Sequence, residues 1–369
     1  MYRKEYTETI FRTGSHTSRK SSVKQHEMAA LREMEQMILA AEAVPAGAEA
    51  LERATAHLEQ FLQQVRQKRI LDEKQRAMEA FRQQFENGYT WRNGFLRNVA
   101  RFGDREALIE PESGTVWTYT QLNAEANRFS HALLRAGLQK GDVVMVQLHN
   151  CPEFVFAYLA CHKTGMVFCP VNFRLSAKEI TDCMDNSRPK VFLLEPETQA
   201  EVDMALRRTA HAPQILLTTD ARAAHAYAGF TADCPATEPE LPWELSVYDE
   251  TLRLFTSGTT GRQKSVCLTS INEVLSAHDV MINFPLSFTD RTMNTTPWFH
   301  RGGLHSGGIT PTLYAGGTVV VQRKFQAEQT LDCIEQQGLT FVIGVPNVLE
   351  LMAEAQQKQP RNLHSLHGI

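Results

Sequence analysis

From residue 143 onward, short apolar segments alternate with longer segments of helical spacing, and this alternation restricts the possible folds most strongly. Val143–Leu148 is an apolar, β-branched run after a Gly-Asp turn, and Pro152–Thr164 has the length and spacing of a helix. The same pair of patterns recurs as far as Pro346–Glu354. Such alternation indicates βαβ crossovers, in which mostly parallel sheets are flanked by helices. We therefore predict an α/β fold.

The first 88 residues follow a different pattern. Two amphipathic segments are separated by a Pro-Gly turn, and the second runs from about Ala48 to Glu86. We predict an α-helical hairpin extension over residues 23–88, between a flexible N-terminus (residues 1–22) and a globular domain (residues 89–369). The apolar stripe of the hairpin must be covered, either by its own domain or by another protein. Oligomerisation or partner contact through the hairpin is therefore possible.

Composition and charge argue against several classes of protein. The chain has 38 Lys and Arg against 42 Asp and Glu, and its net charge of −4 disfavours nucleic acid as a partner. No apolar run reaches the ~18 residues of a membrane span, and the N-terminus lacks the apolar core of a secretory signal. The seven cysteines are scattered, which is typical of reduced thiols. We predict a cytoplasmic protein without a metal-ligand cluster.

The chemically most distinctive segment is Thr256–Lys264, with the sequence TSGTTGRQK, directly after an apolar run that reads as a strand. Its glycines let the backbone approach an anion closely, and its hydroxyl and backbone N–H groups can donate to phosphate oxygens. Lys264 adds a positive charge, and a helix is expected from about Thr269. We predict a polyphosphate site formed by seven residues: Thr256, Ser257, Gly258, Thr259, Thr260, Gly261 and Lys264.

The spacing of this loop excludes the P-loop of nucleotide hydrolases, which requires G-x-x-x-x-G-K-(S/T). Counted from Gly258, the second glycine of that motif falls on Gln263, and Gly261 comes two residues early. The simpler alternative for such a composition is a surface turn. A nine-residue pattern placed directly after a strand favours the phosphate site.

The loop resembles the signature (S/T)-S-G-(S/T)-T-G-x-P-K-G of the ANL superfamily of adenylate-forming enzymes, which includes acyl-CoA synthetases, luciferases and peptide-synthetase adenylation domains. It departs from that signature at Gln263, where Pro is usual, and at Ser265, where Gly is usual. Pro297–Leu304 is similar to the family pattern P-(L/M/W)-(F/Y/H)-H-x-x-G-(L/F/M), and Trp117–Leu122 resembles another family segment. The resemblance covers about residues 90–369.

The resemblance implies a partial N-terminal domain of an AMP-forming acyl-CoA ligase that uses ATP, Mg²⁺ and coenzyme A. The substrate would be a small-molecule carboxylic acid, whose carboxylate attacks the α-phosphorus while pyrophosphate leaves; coenzyme A then attacks the acyl-adenylate. The resemblance assigns catalytic roles to Lys264 and His300. It also implies a substrate pocket formed by Trp298, His300, Gly303 and Leu304.

The family motifs that follow this region do not occur before Ile369. We therefore expect this chain to correspond to the front half of such an enzyme and not to complete the reaction alone. Two alternatives remain open: a non-catalytic protein that binds a nucleotide or only a partner, and an adenylation domain that loads a carrier-protein thiol.

Ligands of α/β sheets collect at the carboxyl ends of strands. Three predicted strand ends carry unusual residues, and we expect them to outline one cleft: Thr256–Lys264, Pro297–Leu304 and Gly344–Pro346.

Overall fold

The computed structural model describes residues 47–256 and 263–369, together with residue 36. These residues divide into two units, of which the first ends at Ala80 and the second runs from Phe81 to Ile369. The predicted flexible N-terminus lies outside the described residues, as does the first helix of the predicted hairpin except for residue 36.

The second helix of the predicted hairpin is present as α1 (Gly47–Phe81), which has 35 residues and passes into a π-helical turn (Arg82–Glu86). Side chains four residues apart form exposed ion pairs along it, for example Arg69 with Glu73 at 3.1 Å. Pairs of this kind stabilise a helix surface by only a few tenths of a kcal/mol each. The long N-terminal helix is therefore confirmed, with its end within a few residues of the predicted one.

The second unit alternates strands and helices, as the sequence pattern predicts. Its first elements are α2 (Trp91–Phe102), β1 (Glu106–Glu110), β2 (Thr115–Thr118), α3 (Tyr119–Arg135), β3 (Val143–Gln147), α4 (Pro152–Thr164), β4 (Val167–Pro170), α5 (Ala177–Ser187), β5 (Val191–Leu194), α6 (Gln199–Leu206), β6 (Ile215–Thr218) and α7 (Tyr227–Thr231). The elements that follow are β7 (Glu250–Thr256), β8 (Lys264–Thr269), α8 (Ser270–Asn283), β9 (Arg291–Asn294), α9 (Arg301–His305), α10 (Ile309–Ala315), β10 (Thr318–Val320), α11 (Ala327–Gln337), β11 (Phe341–Ile343) and α12 (Pro346–Lys358).

The strands form two sheets. The six-stranded sheet has the order β6-β5-β3-β4-β7-β8, and all its neighbours are parallel except β7 and β8. The five-stranded sheet has the order β11-β9-β10-β1-β2, and only the β1–β2 pair is antiparallel. The predicted class, α/β with mostly parallel sheets flanked by helices, is confirmed.

One strand next to the predicted phosphate loop was missed by the sequence pattern. Lys264–Thr269 forms β8, antiparallel to β7, so the loop joins two strands of a hairpin and does not lead directly into a helix. The expected helix begins after β8, at Ser270. Because β8 is an edge strand with the exposed residues Val266 and Cys267, it lacks the apolar run that identifies the buried strands.

The main core contains side chains from both sheets and is centred on α4, which is buried on all sides from Phe154 to Thr164. A helix that is apolar around its whole circumference needs such an environment. Tyr158 and Phe154 of α4 pack edge-on against Phe168 of β4, at ring-centroid distances of 5.6 and 5.1 Å. Within the described residues, no helix combines the length and the hydropathy needed to cross a membrane.

Candidate active site at the converging strand ends

The predicted phosphate loop begins and ends at a hairpin tip. Thr256 and Lys264 are cross-strand partners at the ends of β7 and β8, and both are exposed. The Thr256 hydroxyl donates to the Lys264 carbonyl oxygen at 3.4 Å. The remaining predicted site residues lie outside the described residues: Ser257, Gly258, Thr259, Thr260 and Gly261. The hairpin therefore presents the lysine to solvent beside the loop, where an anion can reach it.

Gln263, one of the two residues that depart from the family signature, lies close to a neighbouring helix. The side chain of Gln263 lies near the carboxylate of Glu179, in the first turn of α5, and helps to lower the pKa of that carboxylate. The carboxylate accepts from the backbone N–H of Ser176 at 2.9 Å, in a capping box. The hydrogen bonds from Ser176 are the main cause that holds the pKa of Glu179 below its ordinary value. Gln263 thus lies beside α5 at the position where the family signature has a rigid proline.

The second predicted segment, Pro297–Leu304, leaves β9 and enters the short helix α9. The Trp298 backbone N–H donates to the Asn150 side-chain oxygen at 2.8 Å, and the Trp298 ring packs edge-on against Phe154. Both Trp298 and Leu304 are buried in the main core. The structure therefore gives these two residues a packing role, and their participation in a substrate pocket stays a prediction.

Gly303 permits a close backbone approach inside this segment. A Cβ atom at position 303 would lie 2.1 Å from the Pro297 carbonyl oxygen, and one at Gly308 would lie 1.9 Å from the Gly303 carbonyl oxygen. Side-chain carbons do not approach backbone atoms so closely, so the turn has room only for glycine at both positions. This steric restriction gives Gly303 a definite role in shaping the strand end.

His300 lies at the exposed end of an aromatic row. Its ring lies 4.1 Å from the ring of Phe299, which meets Phe173 edge-on at 5.4 Å. Phe173 in turn stacks on His149, with ring centroids 3.7 Å apart. Partial burial of the His300 ring lowers its pKa, which favours the neutral imidazole at neutral pH.

A buried ionic cluster supports this row. The Glu195 carboxylate contacts the His149 ring Nδ1 at 2.6 Å and accepts two hydrogen bonds from the Arg323 guanidinium, at 2.8 and 3.1 Å. Burial alone would lower the pKa of Arg323, but the charge and hydrogen bonds of Glu195 outweigh it and raise that pKa. The carboxylate is 1% exposed, so this pairing is protected from solvent screening.

The cluster brings together strand ends from both sheets. His149 and Asn150 follow β3, Glu195 follows β5, and Arg323 follows β10, while Asn150 holds the segment after β9. The sequence interpretation did not single out these four residues. A usable signal was present, because each lies within two residues of the end of a predicted strand, and strand ends are where ligand sites form.

Of the three predicted strand ends, the second and third lie side by side. Thr295, which follows β9, donates its backbone N–H and its hydroxyl to the Ile343 carbonyl oxygen at 2.9 and 3.0 Å. The first strand end lies in the other sheet, at the β7–β8 hairpin. An open cleft of about 400 Å³ lies along α8, with Leu268, Asn272, Leu275, Ser276, Asp279 and Arg301 on its walls; its β8 residue, Leu268, is at the end of the strand away from the hairpin tip.

A buried carboxylate fixes the far end of the segment. Glu273 of α8 is fully buried and accepts hydrogen bonds from the Tyr158 hydroxyl at 2.7 Å and from the His305 Nε2 at 2.6 Å. Burial alone would raise the pKa of Glu273, but His305, together with His162 and Tyr158, holds it below its ordinary value. The carboxylate is therefore ionised at neutral pH and joins α4, α8 and α9 at one point.

His162, beside this carboxylate, makes the stability of the fold sensitive to pH. Burial among Trp91 and Tyr158 lowers the pKa of His162 from 6.5 to about 4, although Glu273 lies 3.8 Å away and opposes the shift. Between about pH 4 and pH 6.5, the His162 ring is protonated in the unfolded chain and neutral in the folded chain. The free energy of unfolding should therefore fall as the pH drops from 6.5 to 4, by up to about 3 kcal/mol from this residue.

Urea unfolding of the wild type and of His162→Leu across this pH range measures that contribution. Neither ring nitrogen of His162 makes a hydrogen bond within the described residues, so leucine removes the titration without breaking one. On acidification, the free energy of unfolding of His162→Leu should rise relative to that of the wild type. His364→Leu, at an exposed histidine, should show the pH dependence of the wild type. A pH profile unaltered by His162→Leu would contradict the assignment.

Comparison with known proteins gives consistent matches to the second unit. The sequence profile of the AMP-binding enzyme family matches residues 95–369. An indoleacetate–CoA ligase of Aromatoleum aromaticum is 32% identical over 274 residues, which are 72% of this chain and 53% of that protein. A feruloyl-CoA synthase of an Amycolatopsis species is 30% identical over 271 residues, covering 72% of this chain and 52% of that protein.

Solved structures show the same fold. The structure of a Mycobacterium tuberculosis fatty acyl CoA synthetase superimposes with a TM-score of 0.66 at 24% identity, over 75% of this chain and 53% of that chain. The chain described here spans about half the length of the curated relatives it matches.

Proposed function

The chain belongs to the AMP-binding enzyme family, and on that premise we propose that it is part of an AMP-forming ligase that activates a carboxylic acid with ATP. The observation that carries this proposal is the family match over residues 95–369, which includes both the hairpin loop and Pro297–Leu304. Because the chain spans about half of its relatives, transfer of the acyl group to coenzyme A is proposed for the whole protein.

In this proposal the hairpin loop holds the β- and γ-phosphates of ATP. Thr256 and Lys264 lie exposed at its two ends, where a hydroxyl and an ammonium group can pair with phosphate oxygens. The substrate carboxylate would form a bond to the α-phosphorus while the bond to the pyrophosphate oxygen breaks. The protein contributes by positioning the two reactants and by stabilising negative charge on the leaving pyrophosphate.

We propose that the substrate is a carboxylic acid with an apolar or aromatic body. His300 and Phe299 end an aromatic row at the strand ends, and a neutral His300 would lie beside the acyl group without adding a charge. The two relatives named above are ligases for indoleacetate and ferulate by name, and both of these acids carry an aromatic ring.

The proposed reaction with ATP implies Mg²⁺ as its metal ion. Within the described ranges, no three or more His, Cys, Asp and Glu side chains come together as a metal site.

Lys264→Ala tests the assignment of the loop. A charge-assisted hydrogen bond to phosphate contributes about 1.5–3 kcal/mol, so the substitution should weaken ATP binding by roughly ten- to a hundredfold. Isothermal titration of the purified chain with ATP measures this change directly. Lys358→Ala, which removes an equally exposed lysine at the end of α12, should bind ATP like the wild type.

Equal ATP affinity of the Lys264→Ala variant and the wild type would refute the phosphate-binding role. Pyrophosphate release in the presence of indoleacetate or ferulate then separates the remaining alternatives. Turnover that appears once the downstream half of the enzyme is added supports the ligase proposal, whereas ATP binding without turnover even then favours a nucleotide-binding protein without catalytic activity.

A further inference from the structure

Arginine and phenylalanine side chains are interleaved on the surface of the second unit, remote in sequence from the phosphate loop. The rings of Phe102 and Phe288 stack with centroids 5.2 Å apart. The Arg101 guanidinium lies 5.0 Å from the centroid of Phe102, and that of Arg105 lies 5.2 Å from Phe102 and 5.3 Å from Phe288. Arg97 lies one helical turn before Arg101. We call these five residues the Arg–Phe patch.

The Arg–Phe patch contains three arginines and no carboxylate. Arg97, Arg101 and Arg105 are spaced four residues apart and are all exposed. Within the part of the chain that the structure describes, none of the three forms an ion pair with a carboxylate. Of the acidic residues next to them in sequence, Asp104 is exposed, while Glu106 is paired with Arg291. The patch is positive although the whole chain has a net charge of −4.

Exposed apolar side chains adjoin these charges. Phe288 is 43% exposed, and the segment that leads to it from the end of α8 contains Ile282 and Phe284, which are 78% and 53% exposed. Leu286 in the same segment is buried against Val280 and Phe341, so the segment is anchored while its neighbours face outward. Exposed apolar groups beside positive charges usually mark an interaction site.

We propose that the Arg–Phe patch binds the surface of a membrane that contains anionic phospholipids. Guanidinium groups pair with lipid phosphates, and aromatic rings insert at the level of the headgroups, so the two side-chain types act at the same depth. Each arginine near such a surface contributes about 1 kcal/mol, which falls away within a Debye length. The patch thus holds the protein on the membrane without a spanning segment.

Charge and ring accessibility favour an anionic membrane over two other binding partners, a second copy of the chain and single-stranded nucleic acid. A second copy of the chain that bound through the same patch would place two sets of three arginines face to face, which is repulsive. Single-stranded nucleic acid binds proteins by stacking its bases on open aromatic faces. Phe102 and Phe288 stack on each other and are covered by Arg101 and Arg105, so little ring face is left for a base.

Co-sedimentation with vesicles tests the proposal. The protein should bind vesicles of phosphatidylcholine mixed with phosphatidylserine, should not bind pure phosphatidylcholine, and should dissociate as salt is raised. Changing Arg97, Arg101 and Arg105 together to glutamine should weaken binding on the order of a hundredfold. Phe288→Ala should weaken the binding that persists at higher salt, because it removes the apolar contribution.

The matched control removes the same charge elsewhere, through Lys178→Gln on α5 and Arg207→Gln and Arg208→Gln directly after α6, all three exposed. This control should bind the mixed vesicles like the wild type. The proposal is overturned if the wild type ignores phosphatidylserine, if both triple variants lose binding equally, or if single-stranded RNA displaces the vesicles. ATP titration of each variant reports on the phosphate loop separately, so failure here is distinguishable from failure of the proposed ligase function.

Discussion

Gly303→Ala is expected to destabilise the second unit by about 3 kcal/mol. The new methyl group would lie 2.1 Å from the Pro297 carbonyl oxygen and 2.8 Å from that of Thr296. Both atoms belong to the backbone, so relief requires the chain to move. The backbone that moves also carries Trp298 and His300, and therefore the distortion reaches the proposed active site.

The neighbouring glycine provides a matched control for this prediction. A Cβ atom at Gly302 would meet no atom within 4 Å outside its own helical surroundings. Since alanine is favoured over glycine in a helix by about 1 kcal/mol, Gly302→Ala should be neutral or stabilising. Urea unfolding of both variants, with tryptophan fluorescence as the signal, measures the two effects. Equal stability of the two variants would show that the turn can relax and that Gly303 is not required.

Glu273→Leu is expected to destabilise the protein by about 3–5 kcal/mol, the cost of removing one partner from a buried ionic cluster. The substitution leaves the Tyr158 hydroxyl with Thr310 as a partner at 2.9 Å, but His305 Nε2 loses the hydrogen bond at 2.6 Å that fixes it. His305 is 2% exposed, so water cannot easily replace the carboxylate. Because the cluster joins α4, α8 and α9, its loss should also loosen the segment that contains His300.

Two further variants serve as comparisons: one removes the charge of Glu273 but keeps its shape, and the other removes an exposed glutamate elsewhere. Glu273→Gln retains one acceptor oxygen and should lose less stability than Glu273→Leu. Glu350→Leu, at an exposed position of α12 whose side chain makes no ion pair or hydrogen bond within the described residues, should change the free energy of unfolding by less than about 0.5 kcal/mol. The buried-cluster interpretation fails if the free energy of unfolding of Glu273→Leu lies within about 1 kcal/mol of the wild-type value, which is the effect of an ordinary point substitution.

Most of the fold followed from local patterns. The predicted helix Pro152–Thr164 has the observed bounds, and the strands that contain Val143 and Val191 were placed within a residue or two. These segments are buried on both sides, so nearly every residue in them is apolar and the pattern is unambiguous. The exposed strand β8 was missed because an edge strand carries polar and apolar residues alike.

The sequence predicted only part of the candidate site, for a related reason. The loop Thr256–Lys264 and the segment Pro297–Leu304 are contiguous motifs, and both were found. In the cluster of His149, Glu195 and Arg323, the contact between Glu195 and His149 joins residues 46 positions apart in the chain, and that between Glu195 and Arg323 joins residues 128 positions apart. No local pattern marks such a set, because its members become neighbours only when the strands take their order in the sheets.

The sequence by itself determined the α/β class, the long N-terminal helix and the family resemblance of the phosphate loop, since each depends on residue types at short, fixed spacings. Only the tertiary structure decided that the loop closes a hairpin, that Trp298 and Leu304 are core residues and that strand ends of the two sheets meet at Glu195. The physical reason is sheet order: crossovers bring distant strands side by side, and the polar residues at their ends then bury and pair with one another.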